Sequence, residues 1–392
     1  MYKDKLTIPA PKIEDRQYTK PLLCSPGPCD IWPSVAEALT RPILSPFYDE
    51  LSQVMFDIRA GLQYLFQTKS ELVLAVIGSG NAGMETIISN LIGPKEKLLL
   101  CSRGQWDDRA LEMTKRYGID TFVHRVPFTA TFSFTLIEDL LKRIRPMAVY
   151  ITHGDSSTGS VQKIEGLGTL CHKYGALLLV DTVVSLGGEP FFTDEWGVDG
   201  ICTSTQKGLS GPAGISPVAF SERAQKVIKK RNFKPPFSFD VELLAAQWNC
   251  FEDTTYHHHS LSSLSPPLLW ALRSCLMEII KETLPKVWAR HTETTAYFHK
   301  RIQGLPLEFL IPKPEDRLVT VTTVVLPKDY DHVEFVNYMR NKHNILISLG
   351  VGPTVGKALR IGTMGFNSTK QVVDAIVDAL ADTLGALKKS SL

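Results

Sequence analysis

The chain has 392 residues, 44% of them apolar, with 43 lysines and arginines against 41 aspartates and glutamates. That length allows one large domain and a smaller one, and the near-neutral balance gives no footprint for nucleic acid or an anionic membrane. Seven scattered cysteines without a CxxC pair offer no disulfide framework and fit a reducing compartment.

The first twenty residues are polar and broken by prolines, and they read as an N-terminal arm, not as a signal or transit peptide. No apolar stretch approaches the ~18 residues of a membrane span. From about 70 to 220, the runs ELVLAVIG, KLLLCS, TFVHRV, MAVYIT, ALLLVD and GICTS alternate with helical patterns, and ISPVAFSERA adds one further strand leading into a helix. Continuous apolar strands separated by helices predict a mostly parallel seven-stranded sheet covered on both faces, an α/β fold. The basic run KKRNFK (229–234) reads as a solvated helix end. After SLSSLSPP (260–267), a long helical pattern leads to a β-α-β-β-α group closed by a helix at 370–386. The organisation expected is an arm (1–20), a large α/β domain (21–280) and a small C-terminal α+β domain (281–392).

Ligands of open α/β sheets bind beyond the carboxyl ends of the strands, which directs attention to five segments there. GSGNAG (78–83) follows a strand and opens a helix, so its backbone N–H groups suit a phosphate. A dinucleotide would also want an acidic residue near 101, where Cys101-Ser102-Arg103 stands; a plain packing turn is the remaining reading. Asp181 ends ALLLVD, and a carboxylate at the mouth of a buried sheet needs a partner such as a protonated ring nitrogen. Lys207 ends the next strand region, where a partly desolvated amine would have a depressed pKa and could condense with an aldehyde. A phosphate cup, a buried aspartate and such a lysine together describe pyridoxal 5'-phosphate, against the alternative of a structural Asp–Lys ion pair.

Trp106, in SRGQWDDRA, could stack on a flat ring, with a core aromatic as the alternative, and HGDSSTG (153–159) supplies hydroxyls at another strand end, a composition that also suits an ordinary turn. Tyr256 precedes three histidines (257–259); consecutive histidines point in different directions, so no metal is assigned to them. Arg360, in ALRIGTMG, suits bidentate capture of a substrate carboxylate, with a structural ion pair as the alternative.

The chain resembles the alanine–glyoxylate/serine–pyruvate aminotransferases, a branch of the fold-type I pyridoxal-phosphate enzymes that includes insect 3-hydroxykynurenine transaminases. YLFQTK (64–69), GSGNAGME, THGDSSTG, LLLVDTVVSLGG, STQKGLSGPAG and GVGPTVGKALRIG carry the likeness, which runs from about residue 20 to 386. The resemblance implies that Lys207 bears the cofactor's Schiff base and Asp181 binds its ring nitrogen. It places Trp106 and Val183 on the two ring faces, Ser156 near the ring, and Ser79, Gly80, Asn81 and Gln206 on the phosphate. It gives Arg360 the substrate carboxylate. It further implies a homodimer in which Tyr256 reaches the partner's phosphate.

Three segments depart from the family pattern. The usual G-P-G-P is Ser25-Pro26-Gly27-Pro28 here, so the substrate-side turn at Gly27 differs. The usual G-G-L-G-P reads Leu349-Gly350-Val351-Gly352-Pro353 here, which places a bulky side chain near the carboxylate site. The family's Y-H-H-T threonine, a phosphate ligand, corresponds either to His259 or, aligned back from LLWALR, to Ser263. The reaction implied is transfer of an amino group from alanine or serine to glyoxylate or pyruvate. LSPFYDEL (44–51) is instead similar to the segment where Ser45 and Phe47 would meet 3-hydroxykynurenine. Alternatives of other classes are an NAD(P)-dependent oxidoreductase built on GSGNAG and a non-catalytic pyridoxal-phosphate binder. The C-terminal Ser390-Ser391-Leu392 is near a peroxisomal address, leaving peroxisomal and cytoplasmic locations both open.

Overall fold

The computed structural model describes residues 8–45, 49–251 and 264–388. Its centre is a seven-stranded sheet built of β1 (Val73–Ile77), β2 (Lys97–Ser102), β3 (Asp120–Arg125), β4 (Ala148–Thr152), β5 (Leu177–Asp181), β6 (Gly200–Cys202) and β7 (Ile215–Phe220). The spatial order is β1-β7-β6-β5-β4-β2-β3. The five strands from β6 to β3 run parallel, while β7 is antiparallel to both its neighbours. Every residue of β4, β5 and β7 is buried, as helices on both faces require. The edge strand β3 is only partly covered.

Glycine decides one close approach. A Cβ at Gly83, in the helix Gly80–Leu91, would lie 3.0 Å from Cys202 Cβ and collide with Ser216 Oγ. Only glycine lets that helix sit on β6 and β7, so GSGNAG is a packing device as well as a turn.

A second sheet is formed by β8 (Glu308–Phe309), β9 (Val321–Val325), β10 (Ser348–Leu349) and β11 (Leu359–Gly362), antiparallel in the order β8-β9-β11-β10. Two main buried apolar clusters accompany the two sheets, and a small third one (Cys29, Val184, Leu318, Val321 and Met364) lies between them. Of the main two, the larger gathers residues between Val35 and Val287, and the smaller gathers Cys24 with residues from Phe298 to Leu384. The helix Leu284–Ile302 contributes to both, through Leu284 and Val287 at one end and Phe298 and Ile302 at the other.

Near the N-terminus, the short strand Leu22–Leu23 pairs in parallel with Ile345–Leu346. Gly362 N donates to Cys24 O and Cys29 N to Gln206 O, so residues 22–29 lace the small sheet to the loop after β6.

The sequence reading of 229–234 needs correction at one residue. Lys229 and Lys230 are exposed, but the side chain of Arg231 is only 2% exposed and bridges Asp240 and Glu242. It also donates to Asn90. A buried guanidinium so paired ties down the following loop and is no solubilising charge. No helix among the described residues is long and apolar enough to cross a membrane.

Candidate active site

The carboxyl ends of the central strands open into one cleft. It is lined by Ser79, Gly80, Asn81, Met84, Trp106, Gly154, Ser156, Asp181, Val183, Val184, Gln206 and Lys207. All nine cofactor-site residues singled out above that lie among the described residues meet here. The adjacency follows from the sheet: β6, β5, β4 and β2 are successive parallel neighbours, so their C-terminal loops sit side by side.

At one end, Ser79 is in extended conformation and makes no capping bond to the helix Gly80–Leu91. The N-terminal turn of a twelve-residue helix therefore opens into the cleft, where its N–H groups and dipole favour an anion. Gln206 lies beside it, its amide oxygen accepting from Ser204 Oγ.

Asp181 is buried, and one carboxylate oxygen accepts from Val183 N at 2.8 Å. Burial pushes its pKa up to about 7, with Asp107 and Asp155 adding repulsion. A carboxylate this poorly compensated is suited to a cationic N–H.

The lysine is held by its surroundings on several sides. Ser210 N donates to Lys207 O at 2.9 Å, and Cys29 Sγ approaches the same carbonyl at 3.0 Å. Lys207 Nζ donates to Pro26 O at 2.6 Å. Desolvation lowers the amine to about 8, and Arg360 pushes the same way. About a tenth of the amine is then neutral, and nucleophilic, at pH 7, far more than for an unperturbed lysine.

Trp106 is fixed by a bond from its indole Nε1 to Ser156 Oγ at 2.8 Å. Behind it lies a buried network that the sequence reading missed. Asp107 accepts from Arg103 N at 2.8 Å, Gly104 N at 3.0 Å and Thr152 Oγ1 at 2.6 Å, which anchors the start of the helix carrying Trp106. The Arg103 guanidinium donates to Ser160 Oγ and to the carbonyls of Thr152 and His153. Asp155 accepts from Ser157 N and Thr158 N. The signal was present in SRGQWDDRA and THGDSSTG, where charged residues stand at buried strand ends.

Arg360 is not among the residues lining the cleft, but it reaches it from β11. Its Nε donates to Leu349 O at 2.9 Å and its Nη1 to Ser156 O at 3.0 Å. The guanidinium is thereby oriented, and burial lowers it to about 10. Thr354 Oγ1 donates to Ser157 O nearby, binding the 350–355 loop to the same segment.

Gly27 abuts Lys207, with φ +110. Ser45 lies within the described residues but does not line the cleft. Phe47, Tyr256, His259 and Ser263 fall outside the described residues. No group of three or more metal-ligating side chains occurs among the described residues.

The fold and cleft define an α/β enzyme with a nucleophilic lysine, a buried carboxylate and an anion cup in one place. Comparison with known proteins identifies that class. The aminotransferase class-V family model matches residues 40–376. The chain is 38% identical to the alanine–glyoxylate aminotransferase of Mus musculus, over 99% of this chain and 94% of that protein. It is 37% identical to the alanine–glyoxylate aminotransferase of Drosophila melanogaster, over 98% of each. The crystal structure of an alanine–glyoxylate aminotransferase from Nostoc sp. superposes with TM-score 0.91 at 35% identity, covering 98% of this chain and 99% of that one.

The chain belongs to the class-V aminotransferases and is a pyridoxal-phosphate-dependent transaminase. The residues present fit that cofactor: an uncapped helix N-terminus for a phosphate, an under-compensated buried carboxylate, and an amine lowered toward neutrality in the same cleft.

Proposed function

We propose that the enzyme moves the amino group of alanine or serine to glyoxylate or pyruvate in two successive half-reactions. The observation that carries the reading is the sharing of one cleft by Lys207 and Asp181, with Arg360 oriented from the small sheet beside Ser156. Two relatives named alanine–glyoxylate aminotransferase, matched over nearly the whole chain, support the substrate pair.

When bound, pyridoxal phosphate would supply an aldehyde carbon for amine exchange and a ring that accepts electrons from the substrate's Cα. Ser79, Gly80, Asn81 and Gln206 would hold its phosphate, and Trp106 and Val183 would flank the ring, with Ser156 beside it. Asp181 would keep the ring nitrogen protonated through a charge-assisted bond. Lys207 would carry the aldehyde carbon at rest. Displaced by substrate, its Nζ would take the proton from Cα and return it on the other side of the transfer, acting as base and then acid. Arg360 would grip the carboxylate of each substrate in turn.

The division into a large domain (21–280) and a small one (281–392) is also proposed, supported by the two main buried clusters, with a small third cluster of Cys29, Val184, Leu318, Val321 and Met364 joining the two parts. A homodimer is supported by apolar side chains left exposed on two packed helices, Phe56 (41%) on one and Met277 (52%) and Ile280 (47%) on the other. In that dimer Tyr256 would reach the partner's phosphate. Location, peroxisomal or cytoplasmic, would be decided by whether the final Ser-Ser-Leu is read as an address.

The test is spectroscopic and kinetic. Cofactor absorbance of the purified enzyme should shift on adding alanine and recover on adding glyoxylate; an unchanged spectrum contradicts the reading. Steady-state comparison of alanine with 3-hydroxykynurenine as donor, glyoxylate accepting, separates the two amino donors.

A further inference from the structure

Tyr150 is a polar side chain for which the chemistry above has no use. It lies at the middle of β4, fully buried, in a strand otherwise reading Ala, Val, Ile and Thr. Its hydroxyl is inaccessible and makes no hydrogen bond of standard geometry among the described residues, although it lies close enough to the Asp181 carboxylate for the two to interact. A phenylalanine would fill the same space without the cost of burying an unpaired O–H.

The register shows what the hydroxyl is near. In the parallel pairing of β4 with β5, Tyr150 lies opposite Leu179 and Thr152 opposite Asp181. Tyr150 and Asp181 are therefore on one face of the sheet, diagonal neighbours on adjacent parallel strands, where the strand spacing and a two-residue rise separate the backbones by roughly 8 Å, a gap that an aromatic side chain spans. The two groups act on each other. Burial, and after it the Asp181 charge, holds the phenol well above its usual range, and the phenol in turn lowers the carboxylate, against the burial that raises it. The other titratable groups facing Asp181 are Asp107, Asp155, Cys202 and Lys207. Two of these are carboxylates that disfavour its charge. Tyr150 is the strong neutral donor among them, the buried Cys202 thiol being a weak one.

We infer that Tyr150 is a positioning residue for Asp181: a small rotation brings its O–H, which has no other partner among the described residues, onto the buried carboxylate, and the bond so made keeps Asp181 charged and turned toward the cleft. The inference rests on the reading in which Asp181 meets the cofactor's ring nitrogen. It deepens that reading by naming what makes so buried a carboxylate anionic at neutral pH.

The test uses Tyr150→Phe, which removes one oxygen, in the full-length cofactor-free protein. Asp181 is titrated by its carboxylic-acid infrared band, assigned by loss of the band in Asp181→Asn. Loss of one hydrogen bond to a charged group should raise the Asp181 midpoint by about one pH unit, and pyridoxal phosphate should bind roughly tenfold more weakly near neutral pH. A fluorinated tyrosine at 150, a stronger donor of the same shape, should move the midpoint down and keeps the test decisive should the phenylalanine variant fail to fold. A midpoint unmoved by either change overturns the inference. If Asp181→Asn binds the cofactor as tightly as the unaltered protein, the Asp181 reading itself falls. If it loses the cofactor while the Tyr150 variants leave the midpoint in place, only the role of Tyr150 falls.

Discussion

Gly27 and Lys207 touch. The glycine has φ +110, and a Cβ built on it would lie 2.7 Å from Lys207 Cε and closer still to Cδ and Nζ. The neighbouring Pro26 carbonyl accepts from the lysine amine. The turn beginning at Ser25 thus forms the wall against which the lysine rests, so its residues bear on the reaction although they lie 180 positions away in sequence (207 − 27).

Gly27→Ala should therefore act on the lysine before it acts on the fold. The added methyl displaces Lys207, and the left-handed backbone costs roughly 1–3 kcal/mol. The expected outcome is turnover reduced at least a hundredfold with a modest fall in melting temperature. Near-normal turnover would show that the turn moves away in solution.

Removing the hydroxyl that holds Trp106 tests the ring platform. Ser156→Ala leaves the indole N–H without its 2.8 Å partner, a loss of about 1 kcal/mol. Cofactor dissociation should rise about fivefold, with kcat less affected, as measured by equilibrium dialysis and steady-state kinetics.

Arg360→Lys keeps the charge and loses the fork. The arginine is already committed to Leu349 O and Ser156 O, which leaves its orientation fixed for a carboxylate. KM for the amino acid should rise by about 10- to 100-fold, corresponding to ~1.5–3 kcal/mol for a charge-assisted bond. A variant with unchanged KM would assign Arg360 a purely structural role.

The lowered lysine makes stability depend on pH in a defined direction. Its amine titrates at about 8 in the folded protein against 10.5 when unperturbed. Between those values the unfolded chain binds a proton that the folded chain does not, so this residue's contribution to stability rises with pH there. Below about 8 the full cost of burying the charge is present. Lys207→Met should stabilise the cofactor-free protein below pH 8, and that advantage should shrink by up to roughly 3 kcal/mol as pH approaches 10.5. Urea unfolding of both proteins across the window measures it.

Much of the large sheet was legible because its strands are continuous apolar runs ended by polar residues, as in ALLLVD, and because helical periodicity separates them. All seven strands fall where those runs stand. The cleft followed from the same logic, since side chains at the carboxyl ends of neighbouring parallel strands must converge. What escaped was of two kinds. Helices Pro33–Ala38, Asp49–Phe66 and Leu284–Ile302 were not read, the last because its mixed face serves two cores and lacks one clean stripe. Long-range polar contacts were also invisible: nothing local in KKRNFK marks Arg231 as the partner of Asp240, and nothing in SPGP places Pro26 against Lys207.

The central claim is tested by reducing the cofactor-loaded enzyme with borohydride, digesting it and sequencing the labelled peptide by mass spectrometry. A pyridoxyl-phosphate adduct on Lys207, and its loss in Lys207→Ala, is the result expected. An adduct on another lysine, with residue 207 unmodified, would contradict the account.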